Sequence, residues 1–243
     1  MTALLEVASL RKRFGAIVVA DDVTFSLESG HCLGVIGPNG AGKSSVFNLI
    51  AGTIAPDGGT IRFDNRDLGR VPAHLRARRG IVRAFQIPQP FPHLTVYENV
   101  LAAASFGAGR SGSAASAAAL EVLATMGLTA KARMLAGRLP LLDRKRLELG
   151  KAVASSAKVL LLDEIAAGLT EPEVEELVAL VRRLKTRHAI IWIEHIPHAL
   201  RAVADRIMVL HFGKNVLEGP PAEVMSSRLV REIYMGFRAD DVA

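Results

Sequence analysis

Eight consecutive residues limit what this chain can fold into more tightly than any other feature. Gly37-Pro38-Asn39-Gly40-Ala41-Gly42-Lys43-Ser44 fits the pattern G-x-x-x-x-G-K-S/T without a gap. Such a loop needs a buried strand to deliver it and a helix to receive it. Cys32–Ile36 is an apolar run that supplies the strand, and Lys43–Ala51 reads as the helix. The glycines let the backbone turn so that successive N–H groups face phosphate oxygens. The helix adds the positive end of its dipole at the same place. Lys43 is expected to contact the outer phosphates as a point charge. The Ser44 hydroxyl is expected to ligate Mg2+, and Ser45 is a further candidate phosphate contact. The loop alone implies a nucleoside triphosphate, not which one or what its energy serves.

The rest of the chain reads as an α/β fold built around that loop. Val23, Phe25 and Leu27 alternate with Thr24 and Ser26, the pattern of a half-buried strand. Residues 60–63, 81–85, 159–162 and 206–210 and Ala189–Ile193 are further strand candidates. The continuous apolar runs among them suit strands buried on both faces. Thr95 with Glu98, and Thr170 with Glu173, are capping boxes that start helices. Strands alternating with helices predict a mostly parallel sheet, interrupted by a helical segment over residues 87–157. Residues 107–119 (GAGRSGSAASAAA) read as a flexible loop entering a helix.

Two acids, Asp163 and Glu164, end the apolar run at 159–162. Acids so placed repel each other unless a cation is near. Mg2+ carried by a nucleotide supplies one. Asp163 suits the metal and Glu164 suits polarising an attacking water. His195 follows the run Ala189–Ile193 and is placed to meet a γ-phosphate, while Gln86, after the run at 81–85, is placed to sense metal or water.

Composition narrows the field. Of the 243 residues, half are hydrophobic and a single cysteine, Cys32, excludes an internal disulfide framework. No run of 18 apolar residues occurs, so no membrane helix is expected and any membrane role runs through a partner. The N-terminus does not read as a signal peptide. The net charge of +6 admits phosphate ligands, anionic lipid or nucleic acid. The basic clusters at 76–79 and 144–146 read first as solvated helix faces, and few aromatics interleave with them, which counts against nucleic acid.

Taken together, the order of loop, Gln86, acid pair and His195 resembles the ATP-binding subunits of ABC transporters over nearly the whole chain. It is most similar to those serving branched-chain and other hydrophobic amino acids, amides and urea. The resemblance implies a single ABC ATPase domain, residues 1–243. It would have an N-terminal antiparallel β part, a P-loop core of residues 1–86 and 158–243, and a helical subdomain of residues 87–157. It places Phe14 at the adenine-stacking position, Gly37, Pro38, Asn39, Gly40, Ala41, Gly42, Lys43, Ser44 and Ser45 in the Walker A loop, and Gln86 in the Q-loop. Asp163 becomes the Walker B acid and a metal ligand with Ser44 and Gln86. Glu164 becomes the catalytic glutamate, residues 167–170 the D-loop and His195 the switch histidine. Residues 87–100 resemble the segment that lines the groove for the membrane subunit. The implied cofactors are ATP and Mg2+. The implied partners are a second ABC ATPase subunit, transmembrane permease subunits and, indirectly, a solute-binding protein, at the cytoplasmic face of the inner membrane. The ending, residues 216–224 (VLEGPPAEV), also suits the amino-acid type, with no regulatory domain expected after it.

The chain departs from the family at its signature. Where the family has Leu-Ser-Gly-Gly-Gln, this chain has Leu139-Pro140-Leu141-Leu142-Asp143. Pro140 has neither an N–H nor a hydroxyl, and leucine lacks glycine's freedom. The resemblance implies that this segment closes on the partner's nucleotide, so a related but different ATPase is the expected partner, with a homodimer as the alternative. Ile165 stands where the family has proline, and Thr170 where the D-loop has an acid or amide.

Overall fold

The computed structural model describes residues 3–235. Among these residues ten strands run β1 (Leu5–Phe14), β2 (Ile17–Leu27), β3 (Cys32–Ile36), β4 (Gly58–Phe63), β5 (Arg66–Asp67), β6 (Ile81–Ala84), β7 (Val159–Asp163), β8 (Ala189–Ile193), β9 (Arg206–His211) and β10 (Lys214–Gly219). The α-helices are α1 (Lys43–Ala51), α2 (Ala73–Arg79), α3 (Val96–Ala102), α4 (Gly112–Met126), α5 (Leu141–Ala154), α6 (Glu171–Lys185), α7 (Pro197–Val203), α8 (Pro221–Ser226) and α9 (Arg228–Met235).

Two sheets form. The first is antiparallel, in the order β2-β1-β4-β5, and the second runs β10-β9-β3-β8-β7-β6. In the second, β6, β7, β8, β3 and β9 are parallel and only β10 is antiparallel. Every residue of β3, β7 and β8 is buried, as central strands covered on both faces require. One apolar core fills the space between the sheets around Phe47, Leu161 and Ile191. The other lies on the opposite face, where Leu160, Leu162 and Trp192 meet the helices.

Both capping boxes form. Glu98 N donates to Thr95 Oγ1 at 3.1 Å, and Thr95 N donates back to Glu98 Oε2 at 2.7 Å. The box at Thr170 and Glu173 opens α6 in the same way. Residues 107–119 enter a helix, as expected, but through a short link. A π-helical turn, Ala103–Gly107, leads through a four-residue link into α4, which begins at Gly112. Alanine has the highest helix propensity, and Ala115, Ala118 and Ala119 form a buried stripe that tertiary packing secures.

Each basic cluster is a solvated face only in part: Arg78, Arg79 and Arg144 are exposed, whereas Arg76 and Lys145 turn inward. Arg76 is 1% exposed. Its guanidinium donates to Leu49 O and Ile50 O at the end of α1, and to Gly69 O and Val71 O. A cation there satisfies carbonyls that the helix end leaves open and meets its negative dipole end. Lys145 and Arg144 similarly donate to the carbonyls of Gln86 and Leu139. Replacing Arg76 with Met keeps the apolar stem but strands four carbonyls. It should lower unfolding stability by about 3 kcal/mol, read as a lower denaturant midpoint at unchanged slope.

Candidate functional site

Parallel pairing brings the functional segments to one edge. Val35 of β3 lies opposite Ile193 of β8, and Ile193 lies opposite Asp163 of β7. Residues 37–44, Glu164, His195 and Gln86 therefore leave the sheet together at the carboxyl ends of adjacent strands, where open α/β sheets bind ligands.

The loop between β3 and α1 is held by close backbone approach. Gly42 caps α1 at φ 102°, and a Cβ there would lie 2.3 Å from Val19 O. Only glycine satisfies both conditions. Gly40, at φ 81°, instead faces open space, which leaves room on the loop for phosphate oxygens. Lys43 is 6% exposed. Its ammonium folds back across the loop, donating to Gly37 O at 2.7 Å and Pro38 O at 3.1 Å. Burial pushes its pKa down, and the nearby carboxylates of Glu164 and Asp163 partly oppose that.

Glu164 is the centre of the polar edge. Gln86 Nε2 donates to its Oε2 at 2.7 Å, and His195 Nε2 lies 3.0 Å from its Oε1. With a carboxylate as acceptor, that ring nitrogen carries the proton. Glu164 also has φ 46°, a left-handed conformation for a non-glycine residue. Such strain costs on the order of 1–3 kcal/mol and persists where the surroundings over-determine it. Here Glu164 N donates to Ile193 O at 2.8 Å, tying the strained residue to β8. Asp163 is buried at the end of β7 and pairs with the guanidinium of Arg83.

Gln86, Glu164 and His195 are thus in contact, with Lys43 near enough to feel the carboxylates. Ser44 is exposed and Ser45 half-buried on the first turn of α1. Phe14 stands apart on the β1–β2 hairpin, half exposed, with Lys12 Nζ 5.2 Å from its ring centre. That hairpin's second strand supplies the Val19 carbonyl that meets Gly42. The Ser44 hydroxyl, Asp163 carboxylate and Gln86 amide oxygen are hard donors that fit Mg2+.

Three residues were not found by sequence reasoning. Arg83 is one. Lys145 is 3% exposed and donates to Gln86 O at 2.6 Å. Glu194 is 2% exposed and accepts from Ala166 N at 3.1 Å and His195 N at 3.0 Å. Burial pushes Lys145 down and Glu194 up in pKa. A charge inside an apolar strand or beside a motif histidine was the available signal.

The altered signature sits at the start of α5. Pro140 occupies the N-cap position with no side-chain bond to the helix, Leu141 is 39% exposed, and Asp143 is buried with Lys131 and Arg146 as partners.

The sequence profile of the ABC transporter family matches residues 20–167. The chain belongs to the ABC transporter family. It is 34% identical to the branched-chain amino acid transport ATP-binding protein BraF of Pseudomonas aeruginosa, covering 96% of this chain and 98% of BraF. It is 35% identical to LivG of Salmonella typhimurium over the same shares. The lipopolysaccharide export ATP-binding protein LptB of Acidithiobacillus ferridurans is 32% identical, with 97% and 98% covered. Among solved structures, the ADP conformation of an ATP-binding cassette from an ABC transporter superposes with TM-score 0.88 at 28% identity, covering 98% of this chain and all of that one. A nucleotide-free cassette gives TM-score 0.87 at 28% identity, covering 97% of this chain and all of that one. The chain is an ABC ATPase subunit homologous to these transport ATPases.

The strain at Glu164 of this ABC ATPase is testable without turnover. Glu164→Gly and Glu164→Ala both lose the Gln86 and His195 contacts, but only glycine relaxes at positive φ. The glycine variant should be more stable than the alanine variant by about 1 kcal/mol in denaturant unfolding. The reverse order would show that the backbone at Glu164 is not held left-handed.

Proposed function

We propose that this subunit hydrolyses ATP to drive an ABC importer of branched-chain amino acids or related small solutes. The observation that carries the reading is Glu164, strained and gripped by Gln86 and His195 beside a phosphate loop. BraF and LivG, named for branched-chain amino acid transport, support the solute class.

In this reading Phe14 stacks on adenine and the amides of residues 37–45 cradle the phosphates. Lys43 exchanges its loop carbonyls for the outer phosphates. Mg2+, held by Ser44, Asp163 and Gln86, would neutralise charge building on the phosphoryl oxygens. Glu164 orients and polarises the attacking water, and His195 lets go of Glu164 to meet the γ-phosphate. Catalysis is mainly positioning and charge stabilisation.

The division of labour proposed within the chain is a nucleotide-binding core, residues 1–86 and 158–243, and a helical part, residues 87–157, that meets the permease. A groove of about 480 Å³ lined by Phe85, Phe91, Leu94 and Phe106 lies beside Gln86 and suits an apolar helix of that permease. No helix of the described residues is long and apolar enough to cross a membrane, which is in keeping with peripheral attachment at the cytoplasmic face. The solute would be selected elsewhere, by a solute-binding protein.

The deciding experiment measures ATP hydrolysis by the subunit alone and then with any ABC ATPase and membrane subunits found encoded beside it. Stimulation is expected, and Glu164→Gln should lower turnover by at least ~100-fold while ATP still binds. ATP binding without stimulation by any of these partners would overturn the transport reading.

The first turn of α5 points to an unequal pair. With Pro140 at the cap and Leu141 exposed, it offers a partner's nucleotide neither hydroxyl nor bare backbone. We therefore expect a heterodimer in which the site built on this chain's Lys43 carries most turnover. Replacing Lys43 by Ala should remove most activity and replacing the partner's equivalent lysine much less. Equal losses would refute it.

A further inference from the structure

We propose that Arg83 is a positioning residue for the metal site, presetting Asp163 so that one carboxylate oxygen is offered to Mg2+. The proposal rests on the ATPase reading above and extends it to a residue outside the motifs.

The geometry is a three-way junction. Arg83 lies on β6, opposite Leu161 of β7. One terminal nitrogen of its guanidinium donates to Asp163 Oδ2, and the other donates to Asn48 Oδ1 at 2.7 Å. Asn48 is on α1, the helix that begins at Lys43. The planar group lies 5.8 Å from the Phe47 ring centre and 5.1 Å from that of Phe85. The side chain is 14% exposed. Arg83 therefore joins the phosphate-loop helix, β6 and the carboxylate of β7 through one rigid fork.

Two consequences follow. The fork occupies Oδ2 and leaves Oδ1 as the oxygen without this partner, so the carboxylate has a preferred orientation before metal arrives. The guanidinium also gives a buried carboxylate a partner of opposite charge. Groups that orient a metal ligand commonly change metal affinity 10- to 100-fold when removed. Lysine cannot reproduce the effect, because a point charge cannot hold Asp163 and Asn48 at once in the plane between two rings. A purely structural ion pair would show itself in stability and not in the metal.

The test measures binding of a fluorescent ATP analogue in the non-hydrolysing Glu164→Gln background, in EDTA and across a Mg2+ titration. Arg83→Lys and Arg83→Met should each raise the Mg2+ concentration at half-effect by about tenfold. Affinity in EDTA should stay within about twofold, since no phosphate contact is assigned to Arg83. Asn48→Ala should shift the Mg2+ midpoint in the same direction by less. An unchanged midpoint in Arg83→Lys, or parallel losses with and without Mg2+, would overturn the proposal. Should Arg83→Met fail to fold, Arg83→Lys and Asn48→Ala decide by the same criteria. A parent protein whose nucleotide binding ignores Mg2+ would sink the metal reading itself, which is a separate outcome.

Discussion

Parallel pairing of β3, β8 and β7 is the constraint on which the site depends. Residues opposite one another in parallel strands leave the sheet at the same level. Val35, Ile193 and Asp163 stand in one row, so residues 37–44, His195 and the acid pair follow within a few residues of that row. Burial of all three strands on both faces makes the register costly to change. The bond from Glu164 N to Ile193 O then uses the same row to hold a left-handed residue. The position of the polar edge is thus inherited from apolar pairing behind it.

That edge carries more buried charge than a core tolerates unpaired, and each charge has a near neighbour. Lys43 is satisfied by its own loop, Asp163 by Arg83, Lys145 by the Gln86 carbonyl and Glu194 by two backbone N–H groups. Only some of these arrangements must persist through a catalytic cycle. Lys43 binds neutral carbonyls, which phosphate oxygens can outcompete. Among the described residues, Lys145 is the donor to the Gln86 carbonyl and Glu194 the acceptor for the Ala166 and His195 N–H groups. The contacts also differ in place: Lys43 bonds within its own loop, while Lys145 and Glu194 each tie one segment to another.

Much of this was legible from the sequence because it was local or periodic. The limits of α1, the strand Cys32–Ile36 and both capping boxes depend on neighbours within a few residues. The contact of Gln86 and His195 with Glu164 was anticipated only as a shared site, since residues 78 and 31 positions from Glu164 meet through the sheet. What escaped was the use of cations as braces. Arg76 and Lys145 sit in basic runs that look solvent-facing, and their partners are carbonyls, which carry no sequence signal. Residues 107–119 were legible as a loop entering a helix, but not the point where alanine's propensity and a buried stripe start that helix, at Gly112.

Helix α5 shows how a subunit can change one interface and keep another. The departures from the signature are confined to its cap and first turn, residues 139–143, which face outward at Leu141. One turn on, Lys145 holds the Gln86 carbonyl, Glu148 accepts from Gln89 N at 3.1 Å, and Lys151 donates to Gln89 O at 2.6 Å. These three positions, spaced three apart on one helical face, pin the segment that follows β6. Loss of the Ser and Gly side of the signature leaves that intramolecular grip intact. The helix therefore holds the Gln86 segment within this chain, although its first turn differs from the family signature. Burial disfavours the charged form of Lys145, and its bond to the Gln86 carbonyl offsets that cost, so the first turn of α5 differs from the family signature while the brace one turn behind it stands.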